Sequence, residues 1–438
     1  MVSAGIKYQG KQRNLTREQA EAVGLLSIGT FLEYFDLMLY IHMAVLLNEL
    51  FFPKYDPHMN SLLTAAAFCS TYLLRPFGAI IFGWIGDKVG RKATVIITTF
   101  MMACSCLVMF ILPTYAKIGI TASVLITICR IVQGLSSLGE VIGAGLYLTE
   151  ITKPPIQYPV VGAITIFAEL GGVFALGVAT LVTSYGFNWR YAFLFGTVIA
   201  LVGAIARTRL RETTEFADAS KRLVKKLNTF GLEKKDVTNQ EMLNERINIK
   251  TILAYLSIGA TGPIYFYFLY MHCGTILKTS FNYTSQQIIS HNLIIAIVEL
   301  LIVILYTYLS YKISPLKILK TRLVIFASTI IFLPYLLNNI SSSFYLLLLQ
   351  FFIVIFKTGT FPAVPIFYKH FPIFKRFRCI SISFAVVRAT MYVVTSFGLV
   401  YLIERFGNWG LLILFIPFIV LYGFGLRHFE MLEKLRNV

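Results

Sequence analysis

Nine ionisable side chains interrupt the long apolar runs of this chain: Glu33, Asp36, Arg75, Arg130, Glu140, Glu169, Glu299, Lys357 and Arg388. A charge at the centre of a lipid bilayer costs roughly 2.5–3.5 kcal/mol on insertion scales. Facing lipid together, these groups would be prohibitive, so they must pair, take up protons or line water. At about 1.5 Å of rise per residue, most of them fall near the middle of their runs. The earlier set is acid-rich, with Glu33, Asp36, Glu140 and Glu169 against Arg75 and Arg130. The later set is base-rich, with Lys357 and Arg388 against Glu299. A polar layer of this kind suits a path for something polar.

Glu33 and Asp36 are three residues apart and share one helix face. Two such carboxylates repel, and a low dielectric opposes the charge of each, so a held proton is one resolution. Proton coupling is therefore expected at Asp36 or Glu33, with Asp36 favoured because it lies nearer the estimated midplane. Fixed ion pairs with Arg75 or Arg130 are the other resolution. His42 and His291 could also carry protons, with packing as the first reading for each. In the later set, one cation is left for a solute's anionic group. Arg388 offers a two-pronged match to a carboxylate, and Lys357 is the second candidate. Pairing of Arg388 with Glu299, or snorkelling of Lys357, would answer the same charges.

The elements that must position these groups follow from composition. The chain has 438 residues, 57% of them hydrophobic and 14% charged, with a mean hydropathy of +0.73. Soluble domains have about 25% charged residues. A cytosolic enzyme, a disordered scaffold and an ordinary secreted domain are excluded. The reading is an all-α polytopic membrane protein with spans near 22–47, 61–85, 94–113, 120–148, 160–185, 190–208, 251–272, 287–311, 321–337, 344–367, 379–403 and 409–427. Of the 39 Lys and Arg, Arg75, Arg130, Lys357 and Arg388 are placed in spans, and Lys54, Lys117, Arg190, Lys278 and Arg405 in one set of loops. The rest are assigned to the alternate loops and the tails, which puts both termini in the cytoplasm. The net charge of +18 is thus a topology signal, and no nucleic-acid partner is expected. The domains expected are an N-terminal six-helix bundle over 1–206, a cytoplasmic linker over 207–250 and a C-terminal six-helix bundle over 251–438. Within the linker, LVKKLNTFGL (223–232) reads either as a short interfacial helix or as a solvated loop. The N-terminus has no cleavable signal pattern. The cysteines form no CxxC pair, so neither a metal, a disulfide nor a cofactor is expected. No nucleophile–base constellation or phosphate loop points to an enzyme.

The run GWIGDKVGRK (83–92) lies in a loop read as cytoplasmic. Gly83 permits close helix contact, Asp87 can cap an exposed helix N-terminus, and Gly90 supplies the turn. Lys88, Arg91 and Lys92 hold the loop inside. The run resembles the signature loop of the major facilitator superfamily, and RIVQG (130–134) resembles a second element of it. GTFLEYFDLMLY (29–40), RPFGAIIFG (75–83), RIVQGLSSLGE (130–140), NWRYAFLF (188–195) and RLRETTEF (209–216) resemble the metabolite:proton symporter branch, which includes proline/betaine and α-ketoglutarate permeases. The resemblance covers most of residues 20–216. It implies the twelve-helix major facilitator fold, alternating access, and symport of a small organic solute with protons. It makes Glu33, Asp36, Arg130 and Glu140 functional candidates, Arg130 for the solute and the acids for protons. It assigns Asp87 and Arg91, with Gly83 and Gly90, to the cytoplasmic gate.

The second half departs from that pattern. After span eight the chain reads TYLSYKISPLKILK (307–320), with Thr307 in place of the signature glycine, Tyr311 in place of the Asp, and Ser314-Pro315 in place of Gly-Arg. The loop TEITKPPIQYP (149–159) lacks the usual basic–glycine pair, while FPIFKRFRCIS (371–381) matches the loop before span eleven. The expectation is a monomeric, bacterial inner-membrane symporter of a proline/betaine-like osmolyte or organic acid, with the lipid bilayer as its surroundings. Uniport, exchange, or a sensor that does not transport are the rival readings.

Overall fold

The computed structural model describes residues 12–51, 75–185, 188, 190–208 and 247–437. Helix dominates, and among these residues no strand forms beyond a lone bridge between Gln12 and Pro155. The first six helices are α1 (Arg17–Phe51), α2 (Arg75–Lys88), α3 (Arg91–Ile111), α4 (Ile120–Ile151), α5 (Gln157–Tyr185) and α6 (Arg190–Arg207). The last six are α7 (Ile249–Ser280), α8 (Ser285–Lys312), α9 (Pro315–Thr329, resuming at Leu333–Asn338), α10 (Ser343–Phe356), α11 (Arg376–Phe406) and α12 (Gly410–Asn437). The expected linker lies almost wholly outside the described residues. By length and composition, seven of the described helices are apolar enough to cross a membrane. Among the others, α4 carries Arg130 and Glu140, and α9 and α10 are interrupted.

Many large apolar side chains face outward, among them Phe77, Phe100, Val198, Leu301 and Phe424. In water that surface would be a liability; in lipid it is the solvated face. Inside, α1 packs on α5, α2 and α6 pack on α4 and α3 respectively, and α7 packs on α12. The most extensive contacts between the halves are α2 with α11 and α5 with α8. The backbones approach closely at Gly171, where an added Cβ would sit 2.3 Å from the Phe31 carbonyl oxygen. The result is two groups of six helices packed side by side.

Besides the 3-10 turn Ile330–Phe332 in α9, two expected spans depart from a regular α-helix. The run 344–367 was read as one helix, but α10 stops at Phe356 with Lys357 as its C-cap, and a short helix resumes at Val364–Lys369. Gly359 and Pro362 lie in the gap and Pro365 opens the short helix; proline has no N–H to give and its ring clashes with the preceding turn. In α7 the turn Tyr267–His272 is π-helical, which leaves backbone groups out of register. Gln350 of α10 answers one of them, its Nε2 donating to the Leu269 carbonyl at 2.8 Å. The Gln350 Oε1 then lies 2.7 Å from the His291 Nε2, so His291 is the donor.

That chain generates a stability prediction. Gln350→Leu strands a buried carbonyl and a buried imidazole N–H, at about 1–3 kcal/mol for an unsatisfied group. The detergent-solubilised variant should unfold at a lower temperature than wild type. An unchanged Tm would mean that Gln350 does not hold the π turn.

Candidate functional site

One end of the bundle is closed by polar contacts that converge on the N-terminus of α11. Asp87, in the last turn of α2, is only 3% exposed. Its Oδ1 accepts from the Phe377 backbone N–H at 3.2 Å and its Oδ2 from that of Arg378 at 3.0 Å. These are first-turn amides that the helix itself leaves unpaired, at the positive end of its dipole. Small residues allow the approach: a Cβ at Gly86 would lie 2.7 Å from the Phe377 ring, and one at Gly83 would lie 2.9 Å from the Arg378 Cα. Gly90 takes φ 131°, ending the loop. Beside them, Arg376 Nη1 donates to Glu150 Oε1 at 3.2 Å with both side chains buried. Lys369 reaches Gln157 Oε1 at 2.7 Å, and Gln157 in turn donates to the carbonyls of Thr149 and Thr152. Gln12, ahead of α1, buttresses the same turn by donating its backbone N–H to the Pro154 carbonyl at 3.1 Å. The side chain of Arg91 lies outside the described residues.

Further in, a cavity of about 180 Å³ lies between α5 and the last six helices. Its charged lining is Glu169, Glu299, Arg322, Lys357 and Arg388, with Tyr255, Tyr265, Tyr306, Phe361 and Phe384 among its aromatic walls. The break in α10 forms one side. Lys357 Nζ is paired with Glu299, and the Tyr270 hydroxyl donates to the other Glu299 oxygen at 3.1 Å. Arg388 stacks on Phe384, its guanidinium carbon 4.7 Å from the ring centroid.

Sequence reasoning counted Arg322 with the loop cations, and the structure corrects this: it is only 6% exposed. It donates to the Lys357 and Phe361 carbonyls and stacks on Tyr306 at 4.6 Å. The signal was present in the sequence. Pro315, Ile318, Leu319, Arg322 and Phe326 are the buried positions of α9, and their spacing is that of one helix face.

In the first bundle, Glu33 forms a 4.0 Å ion pair with Arg75, both buried. Arg130 donates to Gln133 Oε1 at 2.8 Å and is also buried. The side chains of Asp36 and Glu140 lie outside the described residues, as does that of His42. The structure thus brings Lys357 and Arg388 into one cavity and keeps the Glu33–Arg75 pair and Arg130 out of its lining.

The model of the Major Facilitator Superfamily matches residues 26–372, and the chain belongs to that family, whose members are membrane transport proteins and not enzymes. Over 203 residues it is 37% identical to the inner membrane metabolite transport protein YhjE of Escherichia coli K12, covering 44% of this chain and 46% of that protein. It is 33% identical over 205 residues to a proline/betaine transporter of Salmonella typhimurium, covering 45% of this chain and 41% of that protein. The chain spans about half the length of the curated relatives it matches. The solved structure of the proton:xylose symporter XylE bound to 6-bromo-6-deoxy-D-glucose superposes with a TM-score of 0.73 at 14% identity, covering 95% of each chain. At that identity the likeness speaks for the fold.

Asp87 yields a prediction. Charge-assisted hydrogen bonds to a helix N-terminus contribute about 2 kcal/mol, so Asp87→Ala should shift the closed–open balance of this end on the order of 30-fold. Spin-label distances between the ends of α2 and α11 should lengthen or broaden in the variant. Distances that stay as in wild type would show that the gate is held elsewhere.

Proposed function

We propose that this protein is a secondary carrier that moves a small zwitterion or organic acid across a bacterial inner membrane together with protons. The observation that supports this most is the cavity, in which Arg388 and Glu169 face one small space walled by aromatic rings. Its volume of about 180 Å³ is roughly six waters at about 30 Å³ each, a fit for an amino-acid-sized solute and too small for a disaccharide. Arg388 takes the solute's carboxylate and the rings take an alkylated ammonium group. Lys357, held by Glu299, serves as the second positive group of the same subsite. The names of the bacterial relatives, proline/betaine transporters among them, agree with such a solute.

In this reading the end closed by Asp87 is cytoplasmic, the closed contacts describe a state open towards the other side, and residues 207–250 link bundle 1–206 to bundle 251–438 inside the cell. Asp36, Glu33 and Glu140 remain the proton-coupling candidates of the first bundle, with Arg130 in reserve for the solute.

The decisive experiment is uptake into proteoliposomes from a metabolite mixture, with and without an imposed proton gradient, read by mass spectrometry. A solute that accumulates only with the gradient carries the proposal; equal accumulation without it points to uniport or exchange, and no uptake of any solute overturns carriage. Arg388→Gln should abolish the preference for a carboxylate solute over its neutral amide, and retention of that preference would move the anion site away from Arg388. A cysteine introduced in the linker should resist impermeant thiol reagents applied to intact cells, whereas one near Asn338 should react. Equal labelling at both would overturn the orientation.

A further inference from the structure

A second cavity, of about 850 Å³, lies between α9 and α10 and shares no lining residue with the charged one. Its shape follows from the path of α9. As far as Thr329 that helix packs on α10. At the 3-10 turn Ile330–Phe332 the packing changes, and the stretch Leu333–Asn338, with Pro334 in its first turn, meets the turn Gly407–Trp409 instead. The two helices part, and a groove opens between them. Phe326, Ile330 and Ile353 form its floor and belong to the core of the second bundle. Phe332, Leu336 and Leu348 form its sides and are exposed.

No Asp, Glu, Lys, Arg or His stands between Arg322 and Lys357, the stretch that forms the whole groove. In water such a groove would be a liability; here it opens onto the outward surface that faces hydrocarbon. Its polar groups gather at one end, where Asn339 and Ser341 lie between the exposed rings of Tyr335 and Tyr345. The Thr329 hydroxyl, further in, donates to the Ile325 carbonyl of its own helix at 2.8 Å. The polar end lies away from Asp87: α11 starts at Asp87 and ends at Phe406, and Leu333–Asn338 meets the turn just beyond Phe406.

The dimensions select the occupant. From Phe326 to Asn339 the groove runs about 20 Å at 1.5 Å per residue, against about 15 Å for half the hydrocarbon thickness of a bilayer. Its volume of about 850 Å³ spread over that length is a channel roughly 7 Å wide, narrower than the about 10–12 Å of a helix with its side chains. A helix of a second copy does not enter such a channel, whereas a single hydrocarbon chain does. With no cation at the mouth, nothing there selects an anionic headgroup. An amide, a serine hydroxyl and two phenols suit ester carbonyls and a zwitterionic headgroup at the membrane boundary.

We propose that the groove between α9 and α10 binds one acyl chain of a zwitterionic phospholipid from the leaflet away from Asp87, with the glycerol esters at Asn339 and Ser341. The chain completes the packing that α9 and α10 lack beyond Thr329. Phe326 on the groove floor stands one turn from Arg322, and its ring meets that of Tyr265 at 5.2 Å. Arg322 and Tyr265 are both bonded to the break in α10. The bound lipid therefore braces the face of α9 that supports the break, and a ligand held by the folded state alone raises its stability.

The test uses the full-length protein in nanodiscs doped with phosphatidylethanolamine that carries a diazirine at mid-chain. After illumination and digestion with trypsin, mass spectrometry locates the label. Trypsin releases the groove in one fragment, Leu323–Lys357, and the exposed surface around Phe424 of α12 reports bulk lipid. Labelling of Leu336, Leu349 and Phe352 should saturate at low probe content, while labelling around Phe424 rises in proportion to the probe. Proportional labelling at both places means bulk lipid only and overturns the proposal. Leu348→Trp fills the groove, and because displacing even two methylenes costs a factor of about ten, saturable labelling should fall at least that far. Ile331→Trp, on the outward face beside the groove, should leave it unchanged; equal loss in both variants overturns the proposal. If Leu348→Trp does not fold, saturation in wild type still decides. Adding unlabelled phosphatidylethanolamine to delipidated protein should raise the Tm of wild type. Displacement of the probe by palmitic acid as readily as by phosphatidylethanolamine would give the groove to a free fatty acid and overturn the choice of occupant. A dimer in nanodiscs that Leu348→Trp abolishes would give it to a second copy, with the same consequence.

Discussion

A charge or a bare backbone group inside hydrocarbon must be answered by another protein group, and the interior of this molecule is arranged around that constraint. The clearest instance is the end of α10. A helix terminus leaves its last carbonyls without intrahelical partners, and in a membrane each costs several kcal/mol. Here four other helices supply the donors. Arg322 of α9 takes the Lys357 and Phe361 carbonyls, and the Tyr306 hydroxyl of α8 takes that of Ile355 at 2.7 Å. The Tyr422 hydroxyl of α12 takes that of Gly359 at 2.9 Å. Thr261 of α7 approaches the Thr358 carbonyl, while the Tyr265 hydroxyl meets the Thr358 side chain at 2.8 Å. The break is therefore supported by its neighbours at five carbonyls, and it borders the cavity.

The same constraint explains why Lys357 sits where it does. As the C-cap of α10 it lies at the negative end of that helix, where a cation is favoured, and its ammonium still reaches Glu299. Arg322, by holding the Lys357 carbonyl, fixes the backbone from which that ammonium is projected. The polar groups of the cavity thus form a chain, from Arg322 through the backbone of Lys357 to Glu299 and Tyr270. Such networks hold a site rigid when each member is satisfied.

Much of the architecture was legible in the sequence because hydrophobic run length and basic-residue placement report directly on spans. The Asp87 cap was legible for a similar reason: Gly83, Asp87 and Gly90 lie within one short segment, and an acid between glycines at a helix end has a local meaning. What the sequence hid were features that depend on tertiary answers. The π turn in α7 exists beside Gln350, more than seventy residues away. The break in α10 was blurred because an apolar run continues through Gly359 and Pro362. Arg322 was hidden because it sits at the edge of the expected span beside Lys317 and Lys320, which are exposed, and was counted with those loop cations. The partners of Glu33, Lys357 and Arg130 needed coordinates, since helix depth alone does not say which way a side chain turns.

The two halves close the same end by different means, and the departures in the second half have a physical complement in the first. In the first half Asp87 caps α11, and Gly83 and Gly86 give the space. In the second half the position read as the matching glycine is Thr307, which has a side chain and leaves no such space. The space is found instead on the facing helix: a Cβ at Gly162 of α5 would lie 2.9 Å from Thr307 Oγ1 and 3.0 Å from its Cγ2. Thr307 Oγ1 turns back to the Val303 carbonyl at 2.8 Å, so its hydroxyl is satisfied within α8 and its contact with α5 is one of shape. No acid stands where Tyr311 replaces the signature Asp, and the N-terminus of α5 is met by Lys369 through Gln157 rather than by a carboxylate. A cation at that end of a helix dipole is the less favourable arrangement. The α5–α8 contact therefore depends on packing, while the α2–α11 contact is held by charge and hydrogen bonds. A closed end built this way is joined by charge and hydrogen bonds along one seam and by shape along the other, and the second seam is the one that carries Glu169 into the cavity.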